Sequence, residues 1–508
     1  MNIKEAKKQI ADTLKAYLAR DEYGNYLIPP IRQRPVLLLG APGIGKTQIM
    51  EQIASEENVG LVAYTITHHT RQSAIGLPYI EKRIYGETEY TVTEYTMSEI
   101  IGAVYSLIEK TGIKEGILFI DEINCVSETL APMMLQFLQC KTFGNQKLPE
   151  GWLIVAAGNP PEYNRSVREF DVVTLDRVKK ITVEENFGVW KEYAQRKGLH
   201  GAVVSYLDLK KDNFYRMENT AEGLQFATPR GWEDLSEIIF AYEKLGIKVD
   251  MPVVEQYIQL PSVARDFANY LSLYIKYRNT YHIDDIFRGT WARTDESEFY
   301  AAPFDEKLSV LSLILSGLAD SARDAHFREK LVDSLHASLV QFRESLDTAE
   351  SPVSAMNARI SACHEELKRA SDAGQGDRTL RDLKLREQSI LSEFRDTFVR
   401  EEISSADAAM NRVRELLDYE VSGLQKQTDE TSEKLKNAFA FLEASVGQSQ
   451  EMVMFVTELT AGYDTSWFIE NYGCEAYFRH NSELLFNDTR RNIVKKIISA
   501  SDASGEKN

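Results

Sequence analysis

Eight consecutive residues, Gly40-Ala41-Pro42-Gly43-Ile44-Gly45-Lys46-Thr47, fit the pattern GxxxxGK[ST]. The glycines let the main chain curl so that its N–H groups converge on an anion, and a helix starting at the lysine adds its partial positive charge. Lys46 supplies a point charge for the β- and γ-phosphates of a nucleotide, and Thr47 a hydroxyl for Mg²⁺. Further on, Gly116-Ile-Leu-Phe-Ile-Asp121-Glu122 is an apolar run ending in two carboxylates. Asp121 is suited to hold Mg²⁺ through water, and Glu122 to polarise an attacking water as general base. The third group is Asn159, which closes Leu153-Ile-Val-Ala-Ala-Gly158. Its amide could orient the water or touch the γ-phosphate. The competing reading is a turn-forming Asn before Pro160.

These residues need a frame that brings strand ends together. Pro35–Leu39, Leu61–Ile66, Gly116–Ile120 and Leu153–Ala157 read as buried strands. Helical spacing over 46–58, 98–110 and 128–140 separates them, so the chain predicts an α/β domain with a parallel sheet. Residues 76–96, with Gly86 inside, and 142–150, with Gly144-Asn145 at the tip, read as β-hairpins. From about 183 the texture turns helical. The expected division is an α/β P-loop domain over 1–182, a helical lid over 183–295 and an all-α region over 296–508. Apolar residues at helical spacing after Ser351-Pro352, a Gly374-Gln-Gly376 turn and renewed spacing to Leu417 predict an antiparallel coiled-coil hairpin at about 351–420.

The set GAPGIGKT, ILFIDEIN (117–124), KTFGNQKLPEGWLIVAAGNPPEYN (141–164) and ATPRGWEDLSEII (227–239) resembles the AAA+ ATPases, and within them the MoxR-like family, over about residues 25–285. The resemblance implies an ATP-hydrolysing ring, expected as six copies, with ATP and Mg²⁺ between subunits. It implies Asn159 as the sensor-1 residue, Arg177 as the arginine finger and Arg230 as the sensor-2 arginine of the lid. Val178 stands where the family has an aromatic after the finger, and Arg165 and Arg168 are alternatives for that role. The resemblance further implies a client protein that is remodelled or matured, presented by a partner with a von Willebrand A domain. Both hairpins would project toward substrate. Tyr79, Tyr85 and Tyr90 would either grip it or pack the first hairpin together. Two other readings stay open: a nucleic-acid-linked motor, and a scaffold assembled by nucleotide binding alone.

Composition narrows the field. The 508 residues carry a net charge of −18, which disfavours a phosphate-backbone or membrane binder over the whole surface. Cys125, Cys140, Cys363 and Cys474 form no CxxC pair, and His68, His69, His200 and His282 lack metal-ligand spacing, so no transition-metal site is expected. Scattered cysteines, with neither a signal sequence nor a spanning apolar run, lead to the expectation of a cytoplasmic protein.

Overall fold

The computed structural model describes all residues except 69–73, 75, 144–145, 164–169, 171, 221–222, 377 and 483–508. Two compact units are formed, and each is discontinuous in sequence. One contains Met1–Val189 and Thr348–Glu402, the other Trp190–Asp347 and Ile403 onward.

The first unit is built on a parallel sheet with flanking helices. Its strands in chain order are β1 (Val36–Gly40), β2 (Gly60–Thr65), β3 (Pro78–Tyr85), β4 (Thr88–Tyr95), β5 (Gly116–Asp121), β6 (Thr142–Phe143), β7 (Gln146–Lys147), β8 (Trp152–Gly158) and β9 (Lys179–Val183). Five of them pair in parallel in the order β2-β5-β8-β1-β9. The three central strands are covered on both faces, which is why Val36–Leu38, Ile117–Ile120 and Leu153–Ala157 are continuous apolar runs rather than alternating ones. Strand β9 was not foreseen: its Lys179-Lys180-Ile181-Thr182-Val183 alternates because it is an edge.

The helices of this core are α1 (Ile3–Leu18), α2 (Lys46–Glu56), α3 (Glu99–Thr111), α4 (Ala131–Cys140) and α5 (Val172–Arg177). A capping box starts α1: Asn2 Oδ1 accepts from the Glu5 N–H at 2.9 Å, and Glu5 Oε2 accepts from the Asn2 N–H at 3.1 Å. The two hairpins form as expected, β3 with β4 and β6 with β7; the Gly144-Asn145 tip lies outside the described residues. Gln146 of the short hairpin holds the base of the long one. Its Nε2 donates to Tyr95 O at 3.2 Å and Thr96 O at 2.6 Å, and its Oε1 accepts from the Ser98 N–H at 2.6 Å.

Helices Pro352–Asp372 and Arg378–Arg400 form the antiparallel hairpin, and its tip docks on the edge of the sheet. Ala373 O accepts from the Leu61 N–H at 2.8 Å, occupying an edge donor of β2. Gln375 Nε2 faces Val59 O at 3.2 Å, Asn58 Oδ1 at 3.3 Å and Ala54 O at 3.5 Å. Gly374 sits at φ +73°, where a Cβ would lie 2.6 Å from Leu61 O, so no other residue fits without displacement. The apolar spacing from Ile403 to Leu417 belongs instead to the next helix, Ala406–Ser445, and the hairpin ends at Arg400.

The second unit is mainly helical, around the long helices Phe304–Leu346 and Ala406–Ser445, with one β-hairpin at Arg216–Thr220 and Gly223–Ala227. Trp291 and Phe299 pack against Phe441, and Asn437 Nδ2 donates to Phe287 O at 2.8 Å. The expected boundary at 295/296 therefore falls inside this unit. Among the described residues no helix is long and apolar enough to cross a membrane.

Candidate nucleotide site

Strand β1 enters the site at Gly40, where only glycine fits: a Cβ would stand 2.8 Å from both Ile44 Cδ1 and Val183 O. Gly43 and Gly45 follow with φ of +77° and +91°, left-handed values that side chains resist. Gly45 is the N-cap of α2, whose first turn carries no acidic residue. A helix N-terminus of this kind presents unsatisfied N–H groups and positive potential to an anion.

Lys46 is buried, and its ammonium donates to Gly40 O at 2.8 Å, Ala41 O at 2.7 Å and Asn159 Oδ1 at 2.8 Å. An ammonium ion has three donors, and here each meets an oxygen acceptor. Thr47 Oγ1 donates to Asp121 Oδ2 at 3.3 Å. Hydroxyl and carboxylate thus lie side by side, an oxygen pair of the kind a hard divalent cation takes. Asp121 Oδ1 accepts from the Glu122 N–H at 2.9 Å.

Glu122 itself is left-handed at φ +58°, costing about 1 kcal/mol for a residue with a Cβ. Its Oε2 accepts from Thr67 Oγ1 at 3.0 Å. Thr67 lies in the 3-10 turn Ile66–His68 that follows β2, and Thr65 at the end of β2 is in register with Asp121. Sequence reasoning passed over Thr67, because a threonine after a strand is common; only the parallel pairing of β2 with β5 brings it to the carboxylate. Asn124 was also passed over, although it stands within the quoted ILFIDEIN. It is buried, and its Nδ2 donates to Asn159 O at 2.6 Å.

The fold therefore gathers Lys46, Thr47, Asp121, Glu122 and Asn159 at the carboxyl ends of β1, β5 and β8, three neighbouring strands. That is where open α/β sheets bind ligands. Arg177 stands exposed at the end of α5, outside this bonded group. Arg165 and Arg168 lie outside the described residues, as does His69. Arg230 belongs to the second unit, exposed at the second residue of the helix Pro229–Leu245. There, burial and the neighbouring Glu233 push the Asp234 carboxyl up, and Arg230 opposes the shift. Tyr79, Tyr85 and Tyr90 are each about half exposed on the β3–β4 hairpin, with the Tyr85 and Tyr90 rings 5.9 Å apart.

Residues 35–178 match the AAA domain of the dynein-related subfamily. No curated protein matches the chain. Among solved structures, one Thermotoga maritima RuvB variant is similar at 15% identity over 51% of this chain and 70% of its own, with a TM-score of 0.27. A second variant of the same RuvB is similar at 14% identity over 50% and 70%, with a TM-score of 0.28.

Proposed function

We propose that this protein binds Mg²⁺-ATP on Gly40–Thr47 and hydrolyses it, as a MoxR-like member of the AAA+ ATPases. The observation that carries the reading is the convergence of Lys46, Asn159 and the Thr47–Asp121 pair at three adjacent strand ends, with Glu122 beside them. Each group has a task in that reaction. Main-chain N–H groups of the loop and Lys46 neutralise the β- and γ-phosphate oxygens. Thr47 and Asp121 would hold Mg²⁺, which would supply positive charge against the phosphate oxygens when bound.

Glu122 accepts a proton from the water that attacks the γ-phosphorus, as the bond from that phosphorus to the β–γ bridging oxygen breaks and ADP leaves with the electron pair. Asn159 exchanges its bond to Lys46 for one to that water or to the γ-phosphate. Charge that spreads over the departing phosphoryl oxygens is met by Lys46 and by a guanidinium, which can bind two oxygens at once. Arg177 is assigned that task in trans, from a neighbouring copy in a ring of six, so that turnover depends on assembly. Arg230 reports the nucleotide state to the helical region, and the resulting hinge motion remodels a client protein presented by a von Willebrand A domain partner.

The experiment is phosphate release by the purified chain, alongside Glu122→Gln. Wild type should turn over in an Mg²⁺-dependent way. Glu122→Gln should hold ATP without releasing phosphate, and in that state should retain the client in a pull-down from cell extract. A wild-type chain with no affinity for Mg²⁺-ATP at any protein concentration removes this reading.

A further inference from the structure

We infer that Asn124 is a positioning residue for Asn159: its side chain fixes the main chain of Asn159 so that the Asn159 amide can leave Lys46 and serve the phosphate. The inference rests on the proposed ATP hydrolysis. Asn124 follows the two carboxylates in a 3-10 turn, Ile123–Cys125, and is buried at 5% exposure. A buried primary amide ordinarily uses both of its ends. Here Nδ2 donates to Asn159 O at 2.6 Å, while Oδ1 has no hydrogen-bond partner among the described residues. The one bond made is short, and only a donor can face a carbonyl.

The neighbouring strand is shaped for this amide. Gly158 precedes Asn159, and a Cβ there would lie 2.6 Å from Asn124 Oδ1 and 2.8 Å from its Cγ. Glycine at 158 therefore makes room for the Asn124 side chain to lie flat on the end of β8. The consequence is a relay of two contacts: the turn after the carboxylates grips the Asn159 main chain, and the Asn159 side chain meets Lys46. With the main chain held, a change of Asn159 partner is a rotation of its side chain and not a shift of the strand end. The orphan Oδ1 marks a group kept for its placement, since an apolar residue of that size would leave no unsatisfied acceptor.

Three variants test this by steady-state phosphate release. Asn124→Ala removes the donor, Asn124→Asp keeps the shape but sets a carboxylate against a carbonyl, and Gly158→Ala pushes the amide aside. Each should lower kcat by about 10-fold while KM for ATP stays within about 2-fold, the pattern of an interaction used in the transition state. In an Asn159→Ala background, Asn124→Ala should have no further effect on kcat, because the side chain it positions is gone. A merely structural role predicts additive losses in the double variant. Such additivity overturns the inference, as does wild-type kcat in Asn124→Asp. A wild-type chain that binds no Mg²⁺-ATP overturns both the inference and the reading beneath it; turnover in wild type with an unaffected Asn124→Ala overturns the inference alone.

Discussion

The Lys46 ammonium donates to the side-chain oxygen of Asn159 at 2.8 Å, across 113 residues of sequence. One group closes the phosphate loop and the other ends the strand beside it, so the two form a link that a phosphate can replace. Asn159→Ala should therefore leave ATP affinity within a few-fold and lower kcat by about 10- to 100-fold, whereas Lys46→Ala should abolish binding. Fluorescent-nucleotide titration and phosphate release separate the two effects.

Thr67 restrains the Glu122 carboxylate through its hydroxyl. Thr67→Val removes the donor while keeping the branched shape. It should free the carboxylate and raise basal turnover by roughly 2- to 5-fold, the scale of a single modest hydrogen bond. The same substitution in Glu122→Gln should change nothing. An equal rise in both backgrounds would show that Thr67 acts elsewhere.

Arg177→Ala should be inactive yet bind ATP normally. Mixed with a Lys46→Ala chain, which keeps its arginine but lacks a working cradle, it should regain part of its turnover if the arginine acts across an interface. Subunit exchange is verified first with differently tagged chains; mixed rings that stay inactive at every ratio would remove Arg177 from the role.

Lys141 ends α4 in a left-handed conformation, and its ammonium reaches Gln33 Oε1 at 3.3 Å. Burial, with Lys147 nearby, lowers its pKa from 10.5 to about 8. Below that value the folded protein carries a poorly solvated charge. Between about 8 and 10.5 the unfolded chain binds more protons than the folded one, so this group's contribution to stability rises with pH. Lys141→Met should stabilise the protein at pH 7 by on the order of 1 kcal/mol, discounted for partial exposure and the lost bond to Gln33. The gain should shrink as pH approaches 10. Urea unfolding of both proteins across that range reads it directly.

Gln375 and Gly374 hold the helical hairpin to the edge of the sheet. Gln375→Ala should cost about 1–2 kcal/mol by leaving Val59 O with one donor fewer. Gly374→Val should cost more, since it adds both backbone strain and a clash with Leu61 O. Each should open the chain around Gly374 to protease before global unfolding occurs.

The placement of the glycine loop, Lys46 and both carboxylates at neighbouring strand ends was legible because the signals are local: a glycine pattern, then apolar runs that end in charge. The strand ends follow from the same runs. What escaped is set by distance in sequence. Thr67 and Asn124 have ordinary local surroundings, and their roles emerge only from strand pairing and from the room left by Gly158. Strand β9 escaped because an edge strand of five residues with two lysines has no buried run to reveal it. The helical periodicity near 353–394 was plain, but no periodicity says which surface a hairpin tip will meet. Likewise the texture change at 183 does not mark how 190–347 joins with residues beyond 403.

The bond between Leu61 and Ala373 has a bearing on how the chain is made. Strand β2 leaves the ribosome early, but the segment that completes its outer side is translated some three hundred residues later. Until then the nascent sheet has an open flank that could recruit other extended chains. The segment 190–347 is complete before Thr348 appears, yet its remaining share of the second unit begins only at Ile403. Each unit is completed only after a stretch of the other has been made, the first at Glu402 after 190–347 and the second only beyond it, so a chain truncated before Ala373 should keep the outer side of β2 uncovered.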